Sequence, residues 1–273
     1  MYADLHIHST ASDGIHAPDK IVDFALKKGL SVISLTDHDS TDGIDQAVEV
    51  ARGTHLEVIP GIEINTDWEE TEVHILGYYL DYNLRSFQDT LDEIRQTREE
   101  RAKKMVDKLA DIGVVLTYEQ VKRIAGEATI CRPHIAQAMI KGGYVSSIKD
   151  AFDRYLSRGK PGYVPRTKLD PFSAIAIIER AEGIPVLAHP GLSKRDDLIP
   201  ALVKKGLLGI EVYYPYHTTD MVDNYRWFCQ KYGLVMTGGT DYHGPGTEYP
   251  HLGEVGVEKK SVDNLKLMRS FLD

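Results

Sequence analysis

Seven short, β-branched apolar runs recur along this chain, several of them separated by amphipathic segments of helix length. The runs occupy residues 2–7, 31–36, 57–64, 72–79, 184–189, 208–213 and 234–238. Helical periodicity fills 18–28, 43–52, 171–181, 197–205 and 220–232. Gly29, Gly183, Gly206 and Gly233 each close a helical stretch just before a strand-like run, where helix C-terminal caps belong. Strand–helix alternation with mostly parallel strands admits an open doubly wound sheet or an α/β barrel. No G-x-G-x-x-G follows the first run, which disfavours a dinucleotide-binding sheet, and about seven strands favour a barrel.

The pattern breaks after Tyr79. Residues 84–112 read as one long charged helix, further helical periods follow it, and no strand is expected before residue 184. Charge breaks in the same region. Residues 99–167 hold 13 Lys and Arg against 8 Asp and Glu, whereas the remainder holds 19 against 33. The expected organisation is therefore a barrel built from 1–98 and 168–273, with a basic helical insertion at 99–167 acting as a substrate lid. The net charge of −9 argues against gripping a long nucleic-acid duplex, which takes clustered cations. A chain of 273 residues, 42% hydrophobic and 27% charged, is neither disordered nor fibrous. No stretch approaches the ~18 apolar residues of a membrane span, and MYADLHIHST has no secretory apolar core. Cys131 and Cys229 form neither a disulfide framework nor a CxxC pair. A cytoplasmic protein without a membrane partner is the expectation; the oligomeric state is not legible.

Histidine is the unusual residue, with 11 in the chain. His6 and His8, spaced i, i+2 at the end of the first strand, share one face of the pleat. Asp13 follows in the next loop. The second strand runs into Asp37-His38-Asp39, the third ends with Glu63, the fourth carries His74, the fifth ends with His189, and the last runs into Asp241 and His243. Any one of these is unremarkable as a core or surface residue. Together they collect where the strands of an α/β barrel converge on one rim. Imidazole with carboxylate is the ligand set of Zn²⁺, Mn²⁺ and Fe²⁺. Nine such groups exceed one tetrahedral ion and suit two or three divalent ions that share a carboxylate. Paired ions favour phosphate-ester hydrolysis by a metal-activated hydroxide. A nucleophilic serine in G-x-S-x-G is absent.

DLHIHSTASDG, LTDHD, GIE, VHILGY, AHPG and TDYHG, in this order, resemble the motifs of the polymerase-and-histidinol-phosphatase (PHP) superfamily of metal-dependent phosphoesterases. The resemblance implies a distorted (β/α)7 barrel. It also implies that His6, His8, Glu63 and Asp241 hold one metal, that Glu63 bridges to a second completed by His74 and His189, and that Asp13, His38 and His243 hold a third. Asp13 stands where some members have His, which keeps a ligand but can lower affinity at the third position. RPHIA in the insertion and VYYPYH after the sixth strand are similar to the branch acting on nucleotides. That likeness assigns Arg132 and His134 to the substrate phosphate, with roles in binding and catalysis. Arginine offers a planar donor fork and histidine can protonate a leaving oxygen. Lys160, Arg166, Tyr214 and His217 are weaker candidates for substrate contact, and His16, His55 and His251 read as surface histidines.

The expected activity is hydrolysis of nucleoside monophosphates, 3′,5′-bisphosphates or the 5′ ends of short RNA, with small phosphorylated substrates as partners. A histidinol-phosphate phosphatase is the nearest alternative. A non-catalytic, metal-stabilised module is a further one, although no polymerase segment accompanies these ligands.

Overall fold

A computed structural model describes residues 2–165, 169–245 and 250–271. The chain forms two compact units, Met1–Asp89 with Lys168–Asp273, and Thr90–Thr167. The second unit begins inside a helix, nine residues before the charge shift at 99.

In the first unit seven strands form one sheet in sequence order: β1 Ala3–Ile7, β2 Val32–Leu35, β3 Glu57–Trp68, β4 Thr71–Tyr78, β5 Ile184–Leu187, β6 Gly209–Tyr213 and β7 Val235–Gly238. The sheet curls into a nearly closed barrel. Ile7 bridges to Tyr242 beyond β7, and the His8 N–H donates to the Tyr242 carbonyl at 2.9 Å. Asp4 completes the seam by accepting from the Thr240 N–H, the Thr240 hydroxyl and the Gly253 N–H at 3.0, 2.6 and 2.9 Å. A side chain at Gly239 would sit 2.4 Å from the His6 backbone nitrogen, so the approach of the two ends requires glycine there.

Helices α1 Pro18–Lys27 and α2 Ile44–Ala51 cover the outer face of the first strands. Ile21, Val22 and Ala25 of α1 recur at helical spacing and pack with Ile7, Ile33 and Leu35. The barrel interior below the rim is apolar, with Leu5, Ile59, Leu76, Tyr78, Ile184 and Val186 buried together. α7 Pro171–Arg180, α8 Pro190–Ser193, α9 Ile199–Lys205 and α10 Thr219–Tyr232 alternate with the later strands. α7 is started by Asp170, which accepts from the Ser173 N–H at 2.9 Å, and by Pro171 in its first turn. A last helix, Lys259–Arg269, has no counterpart in the sequence expectation.

Two departures from regular parallel alternation position the site. Between the pairs Asp4–Ile33 and Ile7–Leu35, β1 advances three residues while β2 advances two. This extra residue switches the inward face of β1. Ala3 and Leu5 lie in the inner apolar cluster, whereas Ile7 lies in the outer one. His6 and His8 consequently share the inner side. The second departure is β4, which is antiparallel to both β3 and β5. Its early residue His74 pairs with Asn65 near the far end of β3 and thereby reaches the rim that holds the C-terminal ends of the parallel strands. The β3–β4 turn is made by Glu69 and Glu70, both at positive φ, 44° and 69°. A turn without Gly or Asn gives no hairpin signal in a sequence.

The second unit is helical. The C-terminal part of α3 Arg85–Asp111 packs with α4 Tyr118–Ala125, α5 Arg132–Lys141 and α6 Ile148–Ala151, which runs into a π-helical turn at Phe152–Leu156. Its core joins Met105, Leu109, Val121, Ile135, Met139 and Leu156. Two of its arginines are buried as structural ties. Arg98 reaches the Cys131 sulfur at 3.3 Å, and Arg101 Nε donates to the Val164 carbonyl at 2.7 Å. Among the described residues no helix is long and apolar enough to cross a membrane. Cys131 and Cys229 are both buried and are not joined in a disulfide.

Candidate metal centre

Glu63 lies at the middle of the histidine cluster, fully buried on β3. Its Oε1 is 2.9 Å from His74 Nδ1 and 2.9 Å from His189 Nε2. Its Oε2 is 2.8 Å from His38 Nδ1, 3.3 Å from His8 Nε2 and 3.5 Å from His6 Nε2. One carboxylate thus divides its oxygens between two sets of imidazoles. Asp241 sits opposite, with Oδ1 3.0 Å from His8 Nε2 and 3.4 Å from His6 Nε2. Asp13 approaches His243 Nε2 at 3.4 Å and His38 Nε2 at 3.9 Å.

All nine metal-ligand candidates of the sequence enter this cluster. Their ligand atoms fall within 4.8 Å of one another in four overlapping groups. These are His6, His8 and Glu63; His6, His189 and Asp241; Glu63, His74 and His189; and His8, Asp13, His38 and His243. Asp39, His189 and Asp241 take positive φ of 51°, 25° and 53°. Non-glycine residues held there cost on the order of 1–3 kcal/mol each.

The electrostatics call for positive charge. Burial lowers the pKa of the His8 imidazole, but hydrogen bonds and charge from Asp241 and Glu63 outweigh it and push His8 up to about 10. His6 is raised in the same way, against burial, by Glu211, Asp241 and Glu63. Burial opposes ionisation of Asp13, Glu63 and Asp241, yet the surrounding imidazoles hold all three below the usual carboxylate range. His38, where burial dominates, is lowered to about 4. His6 Nε2 and His8 Nε2 face each other at 3.2 Å. His8 Nδ1, Asp13 Oδ1 and Glu63 Oε2 are buried without a hydrogen-bond partner. Buried imidazole nitrogens and carboxylate oxygens that converge this closely, several without a well-formed hydrogen bond, fit divalent cations bound by nitrogen and oxygen.

Comparison with known proteins agrees with this chemistry. The PHP domain matches residues 4–164. The chain belongs to the PHP family. It is an enzyme of the phosphate-ester hydrolase class, with a metal-binding His, Asp and Glu cluster. It is 35% identical over 251 residues to a 5′-3′ exoribonuclease of Haemophilus influenzae, covering 89% of this chain and 90% of that protein. It is 32% identical over 252 residues to a 3′,5′-nucleoside bisphosphate phosphatase of Chromobacterium violaceum, covering 89% and 87%. A phosphoribosyl 1,2-cyclic phosphate 1,2-diphosphodiesterase of Eggerthella lenta is 32% identical over 261 residues, covering 93% and 98%. A solved structure from Bifidobacterium adolescentis, described as a candidate metal-dependent phosphoesterase, superposes with TM-score 0.91 at 30% identity, covering 98% and 96%.

Around the PHP cluster, Glu211 and Asp37 support the ligand candidates, and no motif in the sequence pointed to Glu211. Glu211 on β6 is fully buried; Oε1 is 2.9 Å from His6 Nδ1, and Oε2 accepts from the His189 N–H at 2.8 Å. Accepting the His6 Nδ1 proton leaves His6 Nε2 as the lone-pair nitrogen facing the cluster. Only a buried acid in the middle of an apolar strand signalled it. Asp37 accepts from the Ser9 N–H and from the hydroxyls of Ser9 and Ser12 at 2.7, 2.7 and 2.6 Å, which fixes the loop carrying Asp13. Glu211→Gln presents an amide that can replace the carboxylate at only one of its two partners. Calorimetric titration with Mn²⁺ should then show affinity lower by about 10–100-fold, with an unchanged circular dichroism spectrum.

The remaining candidates behave differently. Tyr214 is buried, and its hydroxyl donates to Asp241 Oδ2 at 3.0 Å, so it supports a ligand candidate. His217 has both ring nitrogens on backbone, Nδ1 on the Val212 carbonyl at 2.9 Å and Nε2 on the Gly191 N–H at 3.2 Å. That leaves it no nitrogen for a substrate. Lys160 is exposed on the second unit. Arg166 lies outside the described residues. His16, expected at the surface, is half-buried, 2.9 Å from the Tyr242 hydroxyl and edge-on to Phe24, because the β1–α1 loop folds back on the barrel seam. His55 and His251 are exposed. Arg132 opens α5 with its guanidinium 5.3 Å from the Phe152 ring centre. His134 is buried, and its Nδ1 accepts the Cys131 N–H at 3.1 Å, so the neutral ring carries its proton on Nε2.

Proposed function

We propose that this enzyme hydrolyses nucleoside monophosphates, 3′,5′-bisphosphates or the 5′ ends of short RNA, using two or three divalent ions of Mn, Zn or Fe. The supporting observation is the split carboxylate of Glu63, whose two oxygens face separate imidazole sets. His6, His8, Glu63 and Asp241 hold the first ion, Glu63, His74 and His189 the second, and Asp13, His38 and His243 the third. The naming of two relatives as an exoribonuclease and a nucleoside bisphosphate phosphatase supports the substrate class.

Bound divalent cations lower the pKa of water and neutralise charge developing on phosphoryl oxygens. The chain supplies the rest. Glu63 and Asp241 orient the imidazoles about one centre, so that a phosphate meets a fixed array. Glu211 keeps His6 in the tautomer that turns Nε2 inward. His134, with its proton on Nε2, has the state a general acid needs for a leaving oxygen. Arg132 offers two parallel donors to phosphate oxygens. The insertion's excess of cations, 13 against 8, favours a short polyanion, whereas the acidic remainder disfavours a long one.

A panel of AMP, an adenosine 3′,5′-bisphosphate, histidinol phosphate and RNAs of graded length, each with a 5′ phosphate, tests this reading. Release of inorganic phosphate or mononucleotides from the nucleotide members is the expected result. Turnover of histidinol phosphate alone would overturn it.

A further inference from the structure

The loops after β5 and β6 carry two large apolar side chains that the chemistry above leaves unused. Leu192, in α8, is 52% exposed, and Tyr216, beyond β6, is 48% exposed. Both loops belong to the unit that holds the histidine cluster, and both are tied to it. Tyr214 packs its ring 5.3 Å from that of His189 while its hydroxyl donates to Asp241. The Tyr216 ring meets Tyr214 edge-on at 5.8 Å. Tyr216 therefore stands one aromatic ring beyond a ligand candidate.

His217 locks the two loops together. Its Nε2 accepts from the Gly191 N–H, the residue before Leu192, and its Nδ1–H donates to the Val212 carbonyl. A side chain at residue 191 would lie 2.7 Å from His217 Cδ2, so glycine is needed for this contact. Burial lowers the His217 pKa, consistent with a neutral ring that donates from one nitrogen and accepts at the other. The sequence motifs AHPG and VYYPYH are thus one structural unit. It leaves the Tyr216 ring and the Leu192 side chain about half exposed, with Tyr216 one ring away from His189.

We infer that Tyr216 and Leu192 form the platform on which a substrate's nucleobase stacks, and so set the preference for nucleotides over other phosphate esters. The inference rests on the nucleotide reading above and assigns it residues. Every base offers a π face, so such a platform is tolerant of base identity. A polar sugar phosphate gains nothing from it. His217 and Gly191 are positioning residues that act through Tyr216.

The test compares KM for AMP with KM for ribose 5-phosphate, which carries the same phosphate and sugar without a base. Stacking on one aromatic ring is worth roughly 10-fold in affinity. Tyr216→Ala should raise KM for AMP by about that factor and leave ribose 5-phosphate unchanged, whereas Tyr216→Phe should keep the wild-type ratio. Leu192→Ala should shift the ratio in the same direction by a smaller factor. A Tyr216→Ala enzyme that retains the wild-type ratio, or loses equally on both substrates, overturns the platform alone. A wild-type enzyme that cleaves ribose 5-phosphate but neither nucleotides nor RNA overturns the platform together with the nucleotide reading.

Discussion

Phosphoester hydrolysis should fall by about 10⁴-fold or more in a His8→Ala, Glu63→Ala double variant, because charge stabilisation worth several kcal/mol leaves with the ions. Glu63 faces His38, His74 and His189 as well as His6 and His8. His8 faces Glu63 and Asp241 through Nε2 and approaches Asp13 through Nδ1 at 3.9 Å. Between them the two residues enter three of the four ligand groups. Their loss leaves buried imidazoles without a carboxylate, so the fold itself can weaken. Glu63→Gln separates the two effects. It keeps the shape and one acceptor oxygen but removes the charge, and it should lose most activity while retaining a native circular dichroism spectrum. Steady-state assay with AMP and with a short RNA checks both variants. Full activity in the double variant would sink the mechanism.

Removing divalent ions should lower the thermal midpoint, and restoring them should raise it. Ions that bind only the folded chain stabilise it by about 4 kcal/mol when free ion exceeds the dissociation constant 1,000-fold. Protons compete for the same atoms. The sign of the competition follows from the shifts. His8 is raised to about 10, so in the absence of ions its protonation stabilises the fold below the ordinary imidazole pKa, and that contribution disappears as pH rises through about 10. Asp13, Glu63 and Asp241 are lowered. Their contribution is present above the ordinary carboxylate range and disappears as pH falls through their lowered values. Ion binding must displace protons from the imidazoles, so it releases protons and weakens with acidity. The midpoint increase on adding Mn²⁺ should therefore be larger at pH 8 than at pH 6. Differential scanning fluorimetry of chelator-treated protein at both values measures it; an increase that does not depend on pH would contradict imidazole ligation.

The alternation of apolar runs made the barrel legible, and all seven strands lie where the runs placed them. The nine residues of the cluster were legible because their types recur at or near the strands, most of them just past a C-terminal end, a pattern with no packing purpose. His74 is the instructive member. At an early position in its strand it would face the wrong rim of an all-parallel barrel, and only the reversal of β4 brings it to Glu63. That reversal was hidden because Glu69 and Glu70 make the turn without Gly or Asn. The inward direction of His6 and His8 depends on an extra residue in β1, which strict alternation does not reveal. Glu211 was missed for a different reason. Its role is defined by two partners far away in sequence, His6 and His189, and a buried acid in a strand does not announce them. His217 was assigned to substrate from a motif, whereas its backbone bonds make it a brace between loops.

The most direct test of the central claim is the release of mononucleotides and inorganic phosphate by protein stripped with a chelator and then titrated with Mn²⁺, Zn²⁺ or Fe²⁺. The substrates are AMP and a short 5′-phosphorylated RNA. Activity absent from the stripped protein, and restored with at least two equivalents of ion per chain, is the predicted result. Turnover that persists after the ions are removed, or saturates with none bound, would contradict the account.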